Sequence, residues 1–186
     1  MRGELLLLLS DGLAILCITR FLLLQAGLDS RDPLLGFAMQ ATDWLVQPLH
    51  KIIPARGQKD RASIAAVAIL YYLVFTAIAL VAGTGGFGGR MIAANLLFAL
   101  LHLFKSVLYV FLLGLVIRLI VSMRAPYSLL LAALEQIYRP LLKPFGFLRV
   151  GRYDFSGSLF ALILWYLLST LLPGIVRQIN LWLLNG

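Results

Sequence analysis

Four apolar runs, around residues 4–26, 62–82, 96–122 and 155–172, take up most of this chain. A run of about 20 apolar residues is long enough to cross the hydrocarbon core of a bilayer as a helix. Lipid offers no hydrogen-bonding partner, so a spanning segment must satisfy its own backbone, and a helix does so within one segment. The expected fold class is therefore all-α: a membrane protein with four transmembrane helices. Composition agrees. Of 186 residues, 61% are hydrophobic and 13% charged, and the mean hydropathy is +0.94. Soluble domains hold roughly 45–50% apolar and about 25% charged residues. One compact membrane domain is expected, with no soluble module.

The connections between the runs set the orientation. The stretch 27–61 carries Arg31, Lys51, Arg56, Lys59 and Arg61, and the stretch 123–154 carries Arg124, Arg139, Lys143, Arg149 and Arg152. The short glycine-rich loop between the second and third runs has only Arg90, and the ends of the chain have Arg2 and Arg177. Basic loops stay cytoplasmic, so both long loops are expected in the cytoplasm and both termini in the periplasm. The N-terminal run looks like a signal peptide but lacks a small-residue cleavage site, and it is read as the retained first span. The net charge of +8 does not suggest nucleic acid, because the basic residues are scattered and not gathered on a face with aromatic stacking residues. They suit an anionic cytoplasmic leaflet instead.

The chain also repeats itself. Arg20, the stretch TDWLVQPLHKIIP and the Asp60-led run DRASIAAVAILYYLV return as Arg118, IYRPLLKPFGFLR and the Asp154-led run DFSGSLFALILWYLL. A period of this length is that of an internally duplicated membrane protein. The expected halves are 1–83 and 84–186, each a two-helix repeat. Two-span units begin and end on one side, so the repeats should be parallel and related by a pseudo-two-fold axis along the membrane normal. Each long loop holds an amphipathic helix, one beginning at Pro33 and one at Pro126, with about 14 residues before Pro48 or Pro140. Both are too short to span and are expected at the interface or as shallow re-entrant elements. The segment after Pro173-Gly174 is read as another interfacial piece.

Four charged residues recur in matching places. Arg20 and Arg118 lie a few residues from the cytoplasmic ends of their spans, where a lone charge is costly. Asp60 and Asp154 open the next span on the same side. Ion pairs Arg20–Asp60 and Arg118–Asp154 are expected, the alternative being that all four reach the headgroups. Asp11 is half a turn out of phase with Arg20, so those two cannot pair, and Asp11 is placed toward the outer end. In the third run, Asn95, His102 and Ser106 share a helical face, with Lys105 beside His102. This polar stripe either lines an ion path or binds a partner helix. If the span starts near 101, His102 and Lys105 snorkel at the outer interface, which is the favoured reading.

Arg, then Pro48, Leu49, Lys51, Ile52, Ile53, Pro54, Asp60 and Ser63 form a pattern that resembles the YggT family of integral membrane proteins, called YlmG in some lineages. Pro140, Pro144, Asp154 and Ser156 match in the second copy. The sequence departs from that pattern at His50, which replaces a basic residue, at Trp44, which replaces the first proline, and at GFLRV in the second loop. The resemblance covers about 12–172 and implies a tandem protein of the bacterial inner membrane. It also implies a role of the kind connected with this family: osmotic-stress tolerance, cell division, or membrane-protein and cofactor assembly.

No enzyme constellation stands out. His50, His102 and Cys17 are too few and too separated for zinc or haem, so no cofactor and no catalysis are expected. The leading reading is a non-catalytic scaffold or assembly factor whose basic cytoplasmic loops bind anionic lipid and a membrane-protein partner. The competing reading is a small channel or transport-related protein, which with four spans per chain would work as a homo-oligomer.

Overall fold

The computed structural model describes residues 2–53, 60–81, 89–124, 127–150, 153–154 and 156–184. In chain order the helices are α1 (Arg2–Gln25), α2 (Pro33–His50), α3 (Arg61–Val81), α4 (Gly89–Arg124), α5 (Leu129–Leu142), α6 (Ser156–Tyr166) and α7 (Leu172–Leu184). A 3-10 turn, Lys143–Leu148, follows α5, and a π-helical turn, Leu167–Leu171, joins α6 to α7. Two-residue strands Arg149–Val150 and Tyr153–Asp154 pair antiparallel, with Arg149 opposite Asp154. Four segments are long and apolar enough to cross a membrane: Gly3–Gln25, Arg61–Val81, Met91–Arg124 and Ser156–Ile179. This is an all-α, multi-pass membrane protein.

α1, α3 and α4 pack on one another, and α4 also receives α5, α6 and α7. The seam of the first three helices is made of small or slim residues: Ala14, Cys17, Ala62, Ala66, Val67 and Ala99, all 0–2% exposed. Small side chains let backbones approach closely, which is how helices associate where lipid is as apolar as the core. Among the described residues, the packing of α3 on α4 has no comparable counterpart between α6 and α1.

α1 stops by a Schellman turn. Gly27 takes a positive φ of 79°, which glycine adopts at no steric cost. The Gly27 and Leu28 amides bond to the carbonyls of Leu24 and Leu23, and Leu28 packs with Leu23 in the motif's usual apolar contact. The Asp32 carboxylate then caps α2, accepting from Leu34 N at 2.9 Å and Leu35 N at 3.4 Å. Leu35, Ala38, Thr42 and Val46 form the buried stripe of α2, laid on α1 and α3. Leu35 and Ala133 of α5 meet around Leu23 and Leu28, so both loop helices lie at the same end of the bundle, the loop end.

Three expectations are corrected. α2 and α5 do not end at their prolines: Pro48 and Pro140 lie inside them. A proline in the last turn removes one backbone bond, and the carbonyls it frees, at Trp44 and Gln136, belong to exposed residues where a polar surrounding serves them. α5 begins at Leu129, with Ser128 Oγ accepting from Leu131 N at 3.2 Å; Pro126 lies outside the described residues. The segment after Pro173-Gly174 continues the fourth span and is not a separate piece. The π turn just before Pro173, with Leu172 N bonded to Leu167 O, re-phases the ladder, as π-bulges do, and absorbs the proline.

Candidate functional site

Two buried polar clusters stand out. The first is at the loop end and is centred on Arg20, which is 4% exposed. Its Nε donates to Asp60 Oδ2 at 3.0 Å, and the same terminal nitrogen donates to Thr42 Oγ1 at 3.2 Å and Asp43 Oδ1 at 2.6 Å. Asp60 is shared further: Ser63 Oγ donates to Oδ2 at 2.7 Å, and His50 Nε2 lies 2.7 Å from Oδ1. Thr42 in turn donates to the Ala38 carbonyl at 2.7 Å. Thr42 and Asp43 are neighbours on α2, and His50 follows Asp43 by two turns, so one edge of α2 brings all three to the same place. Burial alone would raise the Asp60 carboxyl, but the Ser63 and His50 hydrogen bonds and the Arg20 charge outweigh it and hold it below its ordinary value. The cluster fastens α1, α2 and the start of α3 together.

The second cluster lies near the middle of three spans. Tyr71 OH donates to Asp11 Oδ1 at 2.6 Å and shares a 2.6 Å bond with Ser106 Oγ. Lys105 Nζ donates to Asp11 Oδ2 at 2.8 Å. His102 stacks edgewise on Phe75 at 4.9 Å and lies 5.4 Å from the Tyr71 ring. Among the described residues its buried Nδ1 has no hydrogen-bond partner, standing 3.6 Å from Asp11 Oδ1, beyond hydrogen-bond reach. Asn95 donates to Thr76 Oγ1 at 3.4 Å. Since α4 begins at Gly89, His102 and Lys105 sit thirteen and sixteen residues inside it, away from the outer interface where they were expected.

The structure brings Arg20 and Asp60 together. Arg118 instead lines a cleft between α4 and α6. The expected Arg118–Asp154 contact lies outside the described residues, because only the backbone of Asp154 is described. Within the family pattern, Pro48 and Leu49 are in the last turn of α2, Lys51 follows as its exposed C-cap, and Ser63 binds Asp60. Pro54 lies outside the described residues. Pro140 is in α5, Pro144 in the 3-10 turn, and Ser156 is buried at the start of α6. The polar stripe of α4 faces two helices: Asn95 and Ser106 reach α3, and Lys105 reaches α1.

Sequence reasoning missed Thr42, Asp43 and His50 as partners of the first cluster, and Asp11 and Tyr71 as the heart of the second. A signal existed for the first three, since their spacing puts them on one edge of a helix whose apolar stripe is plain. Asp11 carried a weaker one: a carboxylate well inside an apolar run needs a cation or hydroxyl, and Lys105 and Tyr71 were available. Among the described residues, no group of three or more His, Cys, Asp or Glu could hold a metal ion.

A four-span, all-helical bundle with a basic, proline-bearing loop end defines a class of small multi-pass membrane proteins. The family model for CCB3/YggT matches residues 3–81, the segment that holds the Arg20 cluster. A relative from Pseudomonas aeruginosa, described as an uncharacterized protein, is 32% identical over 180 residues, covering 91% of this chain and 90% of that protein. The chain belongs to the CCB3/YggT family. No solved structure matches it.

Proposed function

We propose that this protein is a non-catalytic scaffold or assembly factor of the bacterial inner membrane, with its loop end in the cytoplasm. The observation that carries this reading is how α2 is held. The buried cluster of Arg20, Thr42, Asp43, Asp60 and His50 pins one edge of α2 to the bundle, while Phe37 and Trp44, two turns apart on the opposite face, are 60% and 63% exposed. A helix fixed on one side by charged bonds and showing aromatics on the other is a rigid docking element. Aromatic residues anchor both partner interfaces and headgroup belts. Basic residues that follow it in the sequence, Lys51, Arg56 and Lys59, would add attraction for anionic lipid or an acidic partner.

A second reading, a channel or transport-related protein, is favoured by the Asp11–Tyr71–Lys105 cluster, since ionisable groups inside a membrane often mark a path. Against it, Ala14, Cys17, Ile18, Ala66 and Val67, at 0–3% exposed, form a buried apolar layer between the two clusters, and among the described residues no polar side chain bridges it.

Photo-cross-linking from position 44 in intact cells, with wild type beside Lys51, Arg56 and Lys59 changed to Gln, tests the choice. A stoichiometric partner that disappears with the three charges supports the scaffold. A clean homo-oligomer without another partner, together with ion flux in liposomes abolished by Lys105→Met, would replace it by the channel.

A further inference from the structure

We propose that the cleft between α4 and α6 at the loop end is a binding site for one anionic phospholipid, with Arg118 holding the lipid phosphate. The cleft has a volume of about 330 Å³, at the lower end of the roughly 300–1,000 Å³ of ligand sites. It is graded along the bundle. Arg118, Ser122 and Ser158 line the part toward the loop end, and Leu112, Leu115 and Ala161 the part toward the bilayer centre. Leu112 and Ser122 are ten residues apart on α4, about 15 Å along the axis. That is the order in which a phospholipid presents its parts: phosphate outward, acyl chain inward.

Among the described residues Arg118 makes no ion pair, whereas Arg20 makes two. The reason lies in the loop helices. Six residues before Pro48 stands Thr42 and five before it Asp43; at the same steps before Pro144 stand Tyr138 and Arg139. Where α2 delivers a carboxylate to its arginine, α5 carries a second cation. The Tyr138 hydroxyl is itself committed, donating to the Phe111 carbonyl at 2.6 Å. An arginine this far inside an apolar helix calls for a counter-anion. The phosphate of a lipid is the anion that the bilayer supplies at that depth, and a guanidinium can bind it with two parallel hydrogen bonds. Ser122 and Ser158 add hydroxyl donors. Among the described residues no Asp or Glu lines the cleft, so none of them receives the ammonium of a zwitterionic headgroup, and an anionic lipid is favoured. This site is separate from the α2 docking face and does not depend on it.

The test is native mass spectrometry of the detergent-purified full chain, with phosphatidylglycerol or phosphatidylcholine of identical acyl chains added. Wild type should retain one phosphatidylglycerol, about tenfold more strongly than phosphatidylcholine, as one charge-assisted contact implies. Arg118→Gln should abolish that preference, and Arg177→Gln, near the far end of the fourth span, should keep it. Equal retention of the two lipids by wild type overturns the proposal, and this comparison decides even if Arg118→Gln fails to fold. Unchanged preference in a folded Arg118→Gln also overturns it. Soluble glycerol phosphate competing as well as the intact lipid would overturn the lipid assignment. Cross-linking from position 44 is expected to survive Arg118→Gln, which separates failure of this site from failure of the scaffold reading.

Discussion

Arg20 and Arg118 stand in similar places, five residues before the end of α1 and six before the end of α4, and have opposite fates. Arg20 is buried and shared among two carboxylates and a threonine; Arg118 is half-buried on the wall of an open cleft. The difference lies in the loop helix that follows. α2 supplies Thr42, Asp43 and His50 on one edge, so the guanidinium and Asp60 are both satisfied. α5 supplies Leu131, Leu134, Tyr138 and Leu142, and its contact with the spans is apolar apart from the Tyr138 hydroxyl. A charge near a membrane span is buried where the neighbouring element brings enough partners, and otherwise it is left at an opening.

The sharpest way to break this contrast is to remove Arg20. Arg20→Met strands Asp60, whose side chain is 6% exposed, and should cost about 3–5 kcal/mol, as loss of one member of a buried pair does; thermal unfolding in detergent micelles would show it. A smaller loss from Arg20→Met than from Arg118→Met would reverse the comparison. Acid should erode the same cluster. Because the Asp60 carboxyl is held below its ordinary value, its stabilising share is present above pH about 3.8 and is lost as pH falls through the folded-state value. Asp60→Asn should flatten that acid limb, and a limb unchanged in this variant would mean that other carboxylates set it.

The second half is sensitive to shape instead. A Cβ at Gly114 would run into the Tyr138 hydroxyl, so Gly114→Ala should cost about 1–3 kcal/mol, with part regained in the double variant with Tyr138→Phe. Additive losses would mean that the two do not meet. Asp43→Asn should cost about 1 kcal/mol or less, since its side chain is 41% exposed and exposed pairs contribute little. The smallest effect is expected from Arg118→Gln, within about 0.5 kcal/mol in lipid-free detergent, rising when phosphatidylglycerol is present.

The four spans, the two loop helices and their amphipathic faces were legible because an apolar run and a helical stripe are local patterns with a known period. The buried cation at Arg20 was legible too, since a charge inside an apolar run demands a partner and Asp60 opens the adjoining run. Three boundaries, at Pro48, Pro140 and Pro173, were misjudged for one physical reason. Proline ends a helix by removing a hydrogen bond, but a last turn at an exposed face or a π turn can bear that loss, as at Pro48 and Pro173. The place of His102 and Lys105 was misjudged because the helix extends twelve residues further than the start assumed for it, through Met91 and Asn95.

By itself the sequence determined that this chain is an all-α membrane protein of four spans, because lipid leaves a backbone so few ways to satisfy its hydrogen bonds. Only the tertiary structure decided which polar groups meet. Thr42, Asp43 and His50 converge on Arg20 and Asp60 at the loop end of α1, α2 and α3, and Asp11, Tyr71 and Lys105 meet across the middles of α1, α3 and α4. Those meetings depend on the rotation and height at which each helix packs, and these follow from the summed fit of small residues along the seams of α1, α3 and α4. No short window of sequence carries that sum.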